Sequence, residues 1–321
     1  MGSQSSEPSR TKLLLAFATI YLLWGSTYLA IRLAIDTIPP FLMAGCRFLL
    51  AGAILYAIGV RNGLPRPPRR HWRNAAIGSV LLFVVGNGGV TWAEQAVPSG
   101  VAALVIATLP AWLLLFDWGY GGRKGPKFRE AAGIGLGLVG VATLSAPGGI
   151  NPVGAAVLLV AAVGWAIGSL FTRYSDKPAS PVRNSGMQML TGGAIMVVVG
   201  LALGEGERIN LAAVSWQSVA ACFYLMLAAV VALPAYNWLL TVTSPALVGT
   251  YAFVNPVVAV LLGWAVVGEA LSGRTGVAAA LVILGVALLV WPKKPVAKRA
   301  EVDSAISLTP ADKVVCRVVH S

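Results

Sequence analysis

Long apolar runs separated by short polar clusters occupy nearly the whole chain. A helix needs roughly 20 mostly apolar residues to cross about 30 Å of hydrocarbon. Runs of that length fall at 13–35, 41–60, 73–94, 98–118, 128–146, 152–173, 185–204, 215–236, 246–267 and 275–292. They predict ten transmembrane helices. Pro, Gly or charged residues mark most gaps, but the gap between the eighth and ninth runs, Asn237 to Pro245, holds no charge.

The pattern repeats. Val97–Phe116 and Thr243–Leu262 each begin with Pro and Ser side by side and carry a lone proline deep in an apolar run, Pro110 and Pro256. Pro147 and Pro292, which close the following runs, have the same offset within one residue. Duplicated units with helix-interrupting prolines in corresponding places point to a transporter's binding region. Five spans per half is an odd number, so the second half enters the bilayer from the opposite side. The predicted fold is an all-α polytopic membrane protein of two inverted five-helix repeats, 13–147 and 148–292. They are flanked by residues 1–12 and a basic tail, 293–321.

Composition supports lipid as the solvent. Of 321 residues, 57% are hydrophobic and 11% charged, against about 25% charged in soluble domains. The net charge of +12 sits in the gaps, where it reads as a topology signal and not as a nucleic-acid surface. With the N-terminus inside, the cytoplasmic gaps hold Arg61, Arg66, Arg69, Arg70, Arg73, Arg123, Lys124, Lys127, Arg129, Arg173, Lys177 and Arg183. The opposite gaps hold only Arg32, Arg208 and Arg274. Lys and Arg concentrate on the cytoplasmic side, so both termini are expected there, with the basic tail near anionic lipid.

The prolines remove amide donors and press on the carbonyls of Ile106 and Ala252, making Pro110 and Pro256 candidate hinges. A plain packing kink is the bland alternative. Around them lies a set of aromatic and amide side chains. Trp24 and Tyr28 share one helix face, as do Tyr251 and Asn255. Asn87 lies midway along the third run, Trp165 on the sixth, and Thr108 just before Pro110. Aromatic walls with a few hydrogen-bonding groups describe a small-molecule cavity. Arg47 is the one charge well inside a predicted span. It suits a substrate carboxylate, or a structural pair with Asp36, Glu94 or Glu269, the second being preferred. Glu94 and Glu269 close their spans and are candidate gates, with surface solvation as the alternative. Gly133, Gly137 and Gly140 form a small-residue stripe, answered by Gly276, Ala280 and Gly285, for helix packing or a homodimer contact.

No enzyme is expected. The histidines, His71 and His320, lie outside the spans, and Cys46, Cys222 and Cys316 have no metal or redox spacing. No cofactor or metal is implied. The expected partners are a small-molecule substrate and the bilayer, with no nucleic acid. A non-transporting scaffold or sensor is the alternative function.

WGSTYLAIR (24–32), AGCRFLLAG (44–52), WAEQAVPSG (92–100), Gly268-Glu269 and Gly285-Val286 together resemble the EamA-type permeases of the drug/metabolite transporter superfamily. The likeness runs from about Leu13 to Pro292. It implies ten helices in two inverted EamA repeats, a bacterial inner-membrane location, and export of amino acids, related metabolites or toxic compounds. It also implies a central cavity lined by helices one, three, four, six, eight and nine, at positions matching Trp24, Asn87, Trp165, Tyr251 and Asn255.

Overall fold

A computed structural model describes residues 9–121, 128–145 and 151–290. Pro147, Pro292, the basic residues 123–127, most of the N-terminal segment and the tail 293–321 lie outside the described residues. Within them every regular element is a helix and there is no strand.

Helix starts follow local chemistry. In the first half α1 (Arg10–Ala34) leads to α2 (Pro40–Arg61), and Pro39-Pro40 opens α2. A third run joins α3 (Arg69–Ser79), a π-helical turn (Val80–Asn87) and α4 (Gly88–Ala93). The fourth run is broken into α5 (Ser99–Ile106) and α6 (Leu109–Gly121), and α7 (Phe128–Ser145) follows. The second half contains α8 (Pro152–Tyr174), α9 (Pro181–Ala202), the short α10 (Glu205–Arg208), α11 (Trp216–Val242), α12 (Pro245–Val248), α13 (Tyr251–Val267) and α14 (Gly273–Val290). Asn151, Ser180 and Ser244 accept from the first free amides of α8, α9 and α12, and a proline follows each. Proline at the first helical position loses a donor that had no intrahelical partner anyway.

Seven helical runs among the described residues are long and apolar enough to cross a membrane; 131–143, 254–267 and 273–285 are shorter apolar helices. Several predicted boundaries move by a few residues, the third run for instance starting at Arg69, and two of the shifts change the reading. The eighth run does not end at 236, because α11 continues through Asn237 to Val242. The seventh begins at Pro181, so Arg183 is inside a helix and not in a loop. Its guanidinium is buried, donates to the Leu64 carbonyl at 3.0 Å and lies 4.9 Å from the Tyr56 ring centroid. Arg47 is therefore not the sole buried arginine.

The packing pairs exchange when each run of one half is swapped for its counterpart in the other. The second runs pack on each other (α2 on α9), as do the fifth (α7 on α14). The contact of α1 with α11 is matched by that of α8 with the π turn, and α1 on α13 is matched by α8 on α5 and α6.

The α2–α9 crossing is backbone against backbone. A Cβ at Gly52 would lie 2.7 Å from the Leu190 nitrogen, and one at Gly186 would lie 2.8 Å from the Tyr56 nitrogen. Gly45 and Gly193 repeat the arrangement about two turns along, each 2.8 Å from an opposing backbone nitrogen. Without a hydrophobic driving force between helices in lipid, such close approach supplies the dispersion contact that holds them. Gly285 meets Gly133 and Gly137 within the chain, but Gly276 of the predicted stripe has nothing within 4 Å.

Candidate functional site

Aromatic side chains from four helices meet at the centre. Trp24 of α1 lies 5.5 Å from Trp165 of α8, 4.9 Å from Tyr236 of α11 and 4.9 Å from Tyr251 of α13, centroid to centroid. These separations and their tilted or edge-on geometries are those that aromatic quadrupoles favour. A chain of hydrogen bonds fixes one side. Trp165 Nε1 donates to the Tyr236 hydroxyl at 3.2 Å, Tyr236 bonds Ser169 at 2.6 Å, and Ser169 Oγ donates back to the Trp165 carbonyl at 2.6 Å.

A two-lobed cavity abuts this cluster. The first lobe, about 70 Å³, is lined by Trp24, Thr27, Tyr28, Gly86, Asn87, Trp165, Tyr251 and Asn255, among others. The second, about 40 Å³, shares Trp24, Asn87 and Trp165 and adds Arg47, Phe48 and Phe83. Six of the predicted binding residues thus share the first lobe and Arg47 reaches the second. Thr108 lines neither. Its hydroxyl donates to the Val105 carbonyl at 2.8 Å and accepts from Trp112 Nε1 at 3.2 Å, a helix-internal role available to threonine on any buried face.

The polar lining is partly committed. Arg47 is 3% exposed; its Nη2 donates to Asn87 Oδ1 at 2.8 Å, and the guanidinium lies 4.2 Å from the Phe48 ring centroid. The Asn87 partner replaces the acidic partners considered from sequence. The Asn255 amide is oriented with its nitrogen toward the carbonyls of Tyr21, at 3.2 Å, and Tyr251, at 3.1 Å, the assignment that satisfies both acceptors. It thereby ties α1 to α13. Asn87 ends the π-helical turn, a rare geometry that recurs at functional sites. Beside it, Gly86 makes room for Trp165, whose Cε3 would lie 3.0 Å from a Cβ there.

The two candidate gates behave differently from each other, and surface solvation does not describe Glu94. Glu94 is fully buried. Glu269 caps α5: Oε1 accepts from the Ser99 nitrogen and from the Ser99 hydroxyl, both at 2.8 Å, and Oε2 from the Gly100 nitrogen at 3.2 Å. Glu205, not singled out from sequence, does the same for α2, accepting from Phe41 N at 3.2 Å and Leu42 N at 2.9 Å. Each follows a glycine at positive φ, Gly204 at 73° and Gly268 at 68°, where an L side chain is disfavoured.

The fourth and ninth runs are both broken, but at different distances from their prolines. Ala107-Thr108 separates α5 from α6, placing Pro110 in the first turn of α6. Gly249-Thr250 separates α12 from α13, leaving Pro256 inside α13. Thr250 is held to α1 through a 2.5 Å contact of its hydroxyl with that of Tyr21. Thr27 and Gly86 line the cavity, Tyr236 backs it through Trp24 and Trp165, and none of the three carries a sequence signal of its own. Tyr236 in particular is lost in a helix that is apolar on every face.

Known proteins agree with this architecture. The EamA-like transporter family profile matches residues 11–146 and 152–291. The inner membrane transporter YedA of Escherichia coli K12 is 39% identical over 88% of this chain and 93% of its own length. The transporter YvbV of Bacillus subtilis is 24% identical over 79% and 82% of the two chains. A solved crystal structure, 22% identical, superposes with a TM-score of 0.63, covering 88% of this chain and 98% of its own; at that identity it speaks for the fold alone. The chain belongs to the EamA-like transporter family and is a multi-pass protein of the inner membrane.

Proposed function

We propose that the protein exports small organic solutes, amino acids or related metabolites and drugs, by alternating access through the central cavity. The reading takes ten spans in two inverted repeats, 13–147 and 148–292, with residues 1–12 and 293–321 in the cytoplasm. One observation carries it: the cavity draws its walls from both halves, α1, α2 and the π turn on one side, α8, α11 and α13 on the other. A solute there is held by both repeats, so rocking one against the other changes the face to which it is open.

Cavity size supports the same cycle. Small-molecule sites usually enclose about 300–1,000 Å³, far more than the lobes of about 70 and 40 Å³ here. Solute enters only when the halves part. Trp24 and Trp165 then cover its apolar portion. Asn87, whose oxygen is taken by Arg47, offers its amide nitrogen, and Arg47 orients a carboxylate. The breaks at Ala107-Thr108 and Gly249-Thr250, with Pro110 and Pro256 beside or beyond them, supply the hinges. Glu269 latches the cavity's outer end.

The test is counterflow of labelled proteinogenic amino acids in proteoliposomes. Saturable flux is expected, reduced at least tenfold by Trp24→Ala and by Asn87→Ala in protein that remains monodisperse. Unchanged flux in both variants removes the cavity assignment.

A further inference from the structure

Glu94, at the end of α4, is wholly shut from solvent, and neither carboxyl oxygen has a hydrogen-bond partner. A buried carboxylate without donors loses its hydration and gains nothing in return. Such groups are normally paired or uncharged. The other buried carboxyl in a comparable place, Glu205, has two amide donors at a helix start. Glu94 has none.

None of the charged groups around it gives its carboxyl oxygens a hydrogen bond. Arg32 of α1 spends Nη1 on the Glu94 backbone carbonyl at 2.9 Å. Arg47 of α2 spends Nη2 on Asn87. Glu269, after α13, caps α5. Tyr28 of α1 lines the cavity. The π turn has no titratable group, and those of α8, Arg173 and Tyr174, sit at its far end. Arg47 Nε, like both Glu94 oxygens, is buried without a partner, so a turn of Arg47 from the Asn87 oxygen toward Glu94 would satisfy groups on both sides.

We propose that Glu94 is a proton-binding site, neutral while Arg47 is engaged with Asn87 and ionised when Arg47 turns to it. A solute that displaces Arg47 from the Asn87 oxygen drives that change, which couples its passage to one proton. The proton goes from the carboxyl to water in the opened cavity; the electron pair stays on oxygen, the new carboxylate is neutralised by Arg47, and no other bond changes. The proton site rests on the geometry around Glu94, and its coupling to transport rests on the function proposed above.

Infrared difference spectra of full-length protein in detergent, wild type against Glu94→Gln, test the site without any solute. A protonated carboxyl C=O band at neutral pH, present in the wild type and absent from the variant, is expected, and it should fade as pH rises. Glu94→Asp should shift the band and serves if Glu94→Gln does not fold. A spectrum without such a band at neutral pH overturns the proposal. In proteoliposomes, stimulation of labelled amino-acid counterflow by a pH gradient should fall to the gradient-free rate in Glu94→Gln; stimulation equal to wild type overturns the coupling. Unchanged flux in both Trp24→Ala and Asn87→Ala alongside an intact band would remove the cavity reading alone.

Discussion

Glu269 and Ser99 lie 170 residues apart in sequence, yet one carboxylate oxygen accepts both the backbone and hydroxyl hydrogens of Ser99. The contact closes a loop between the C-terminal end of α13 and the N-terminal end of α5. Gly268 makes it possible: its positive φ lets Glu269 N reach the Gly263 carbonyl at 3.0 Å and turns the acid back toward α5. A carboxylate at a helix N-terminus stabilises it by about 0.3–1 kcal/mol, more where water is excluded. Glu269→Ala and Gly268→Val should therefore act alike. Each is expected to lower the detergent melting temperature and to speed maleimide modification of a cysteine placed at Thr27. Opposite effects of the two substitutions would separate the turn from the cap.

The α2–α9 crossing gives a sharper expectation. With backbone atoms 2.7–2.8 Å from the built Cβ positions of Gly52 and Gly186, no side chain can retract to make room. Gly52→Val should abolish monodisperse protein in size-exclusion chromatography. Gly276→Ala, on the open side of α14, should be neutral or gain up to about 1 kcal/mol from helix propensity. Equal tolerance at the two positions would contradict the close crossing.

Much of this is legible in the sequence. Trp24 and Tyr28 declare a shared face by spacing, and the apolar runs give the helices directly because a span must be apolar whatever it packs against. The failures share a cause. A helix apolar on all sides has no period to reveal its inner face, so Tyr236 on α11 passes for filler while Thr108 passes for a ligand. The Gly204-Glu205 pair reads as a solvated loop, since nothing local shows that α2 begins beside it. Pro110 and Pro256 occupy matching sequence positions, but the break at Ala107-Thr108 lies just before Pro110, while that at Gly249-Thr250, where Thr250 bonds Tyr21 of α1, lies well upstream of Pro256. A residue's neighbours across helices decided each of these outcomes.

Tyr236 tests the aromatic cluster separately from its packing. Tyr236→Phe keeps the ring but leaves Trp165 Nε1 without its acceptor and removes one of the two hydrogen bonds of Ser169. An orphaned buried donor costs about 1–3 kcal/mol. Thermal unfolding should show a loss of that order, and tryptophan emission should shift as Trp165 is released. Stability equal to wild type would mean the hydrogen-bonded circuit contributes packing alone.

The charged helix caps are sorted by sign between the two ends of the bundle. At one end of the bundle arginines serve helix C-termini: Arg173 donates to the Leu240 and Thr243 carbonyls in the last turn of α11, and Arg183 donates to the Leu64 carbonyl just beyond α2. At the other end carboxylates serve N-termini, Glu205 for α2 and Glu269 for α5. Each assignment matches the sign of the helix dipole, so reversing the chain's insertion would carry the whole set of arginines to the outer face. The exposed Arg70–Asp176 pair adds under about 1 kcal/mol and is not needed for the argument; Arg70→Ala should leave stability unchanged. Because basic residues resist translocation, the arginine end is expected in the cytoplasm together with both termini. Green fluorescent protein fused to either terminus should fluoresce, and alkaline phosphatase inserted after Glu207 should be active. Termini found on opposite faces would break the inverted pairing of the two halves, and with it the shared cavity.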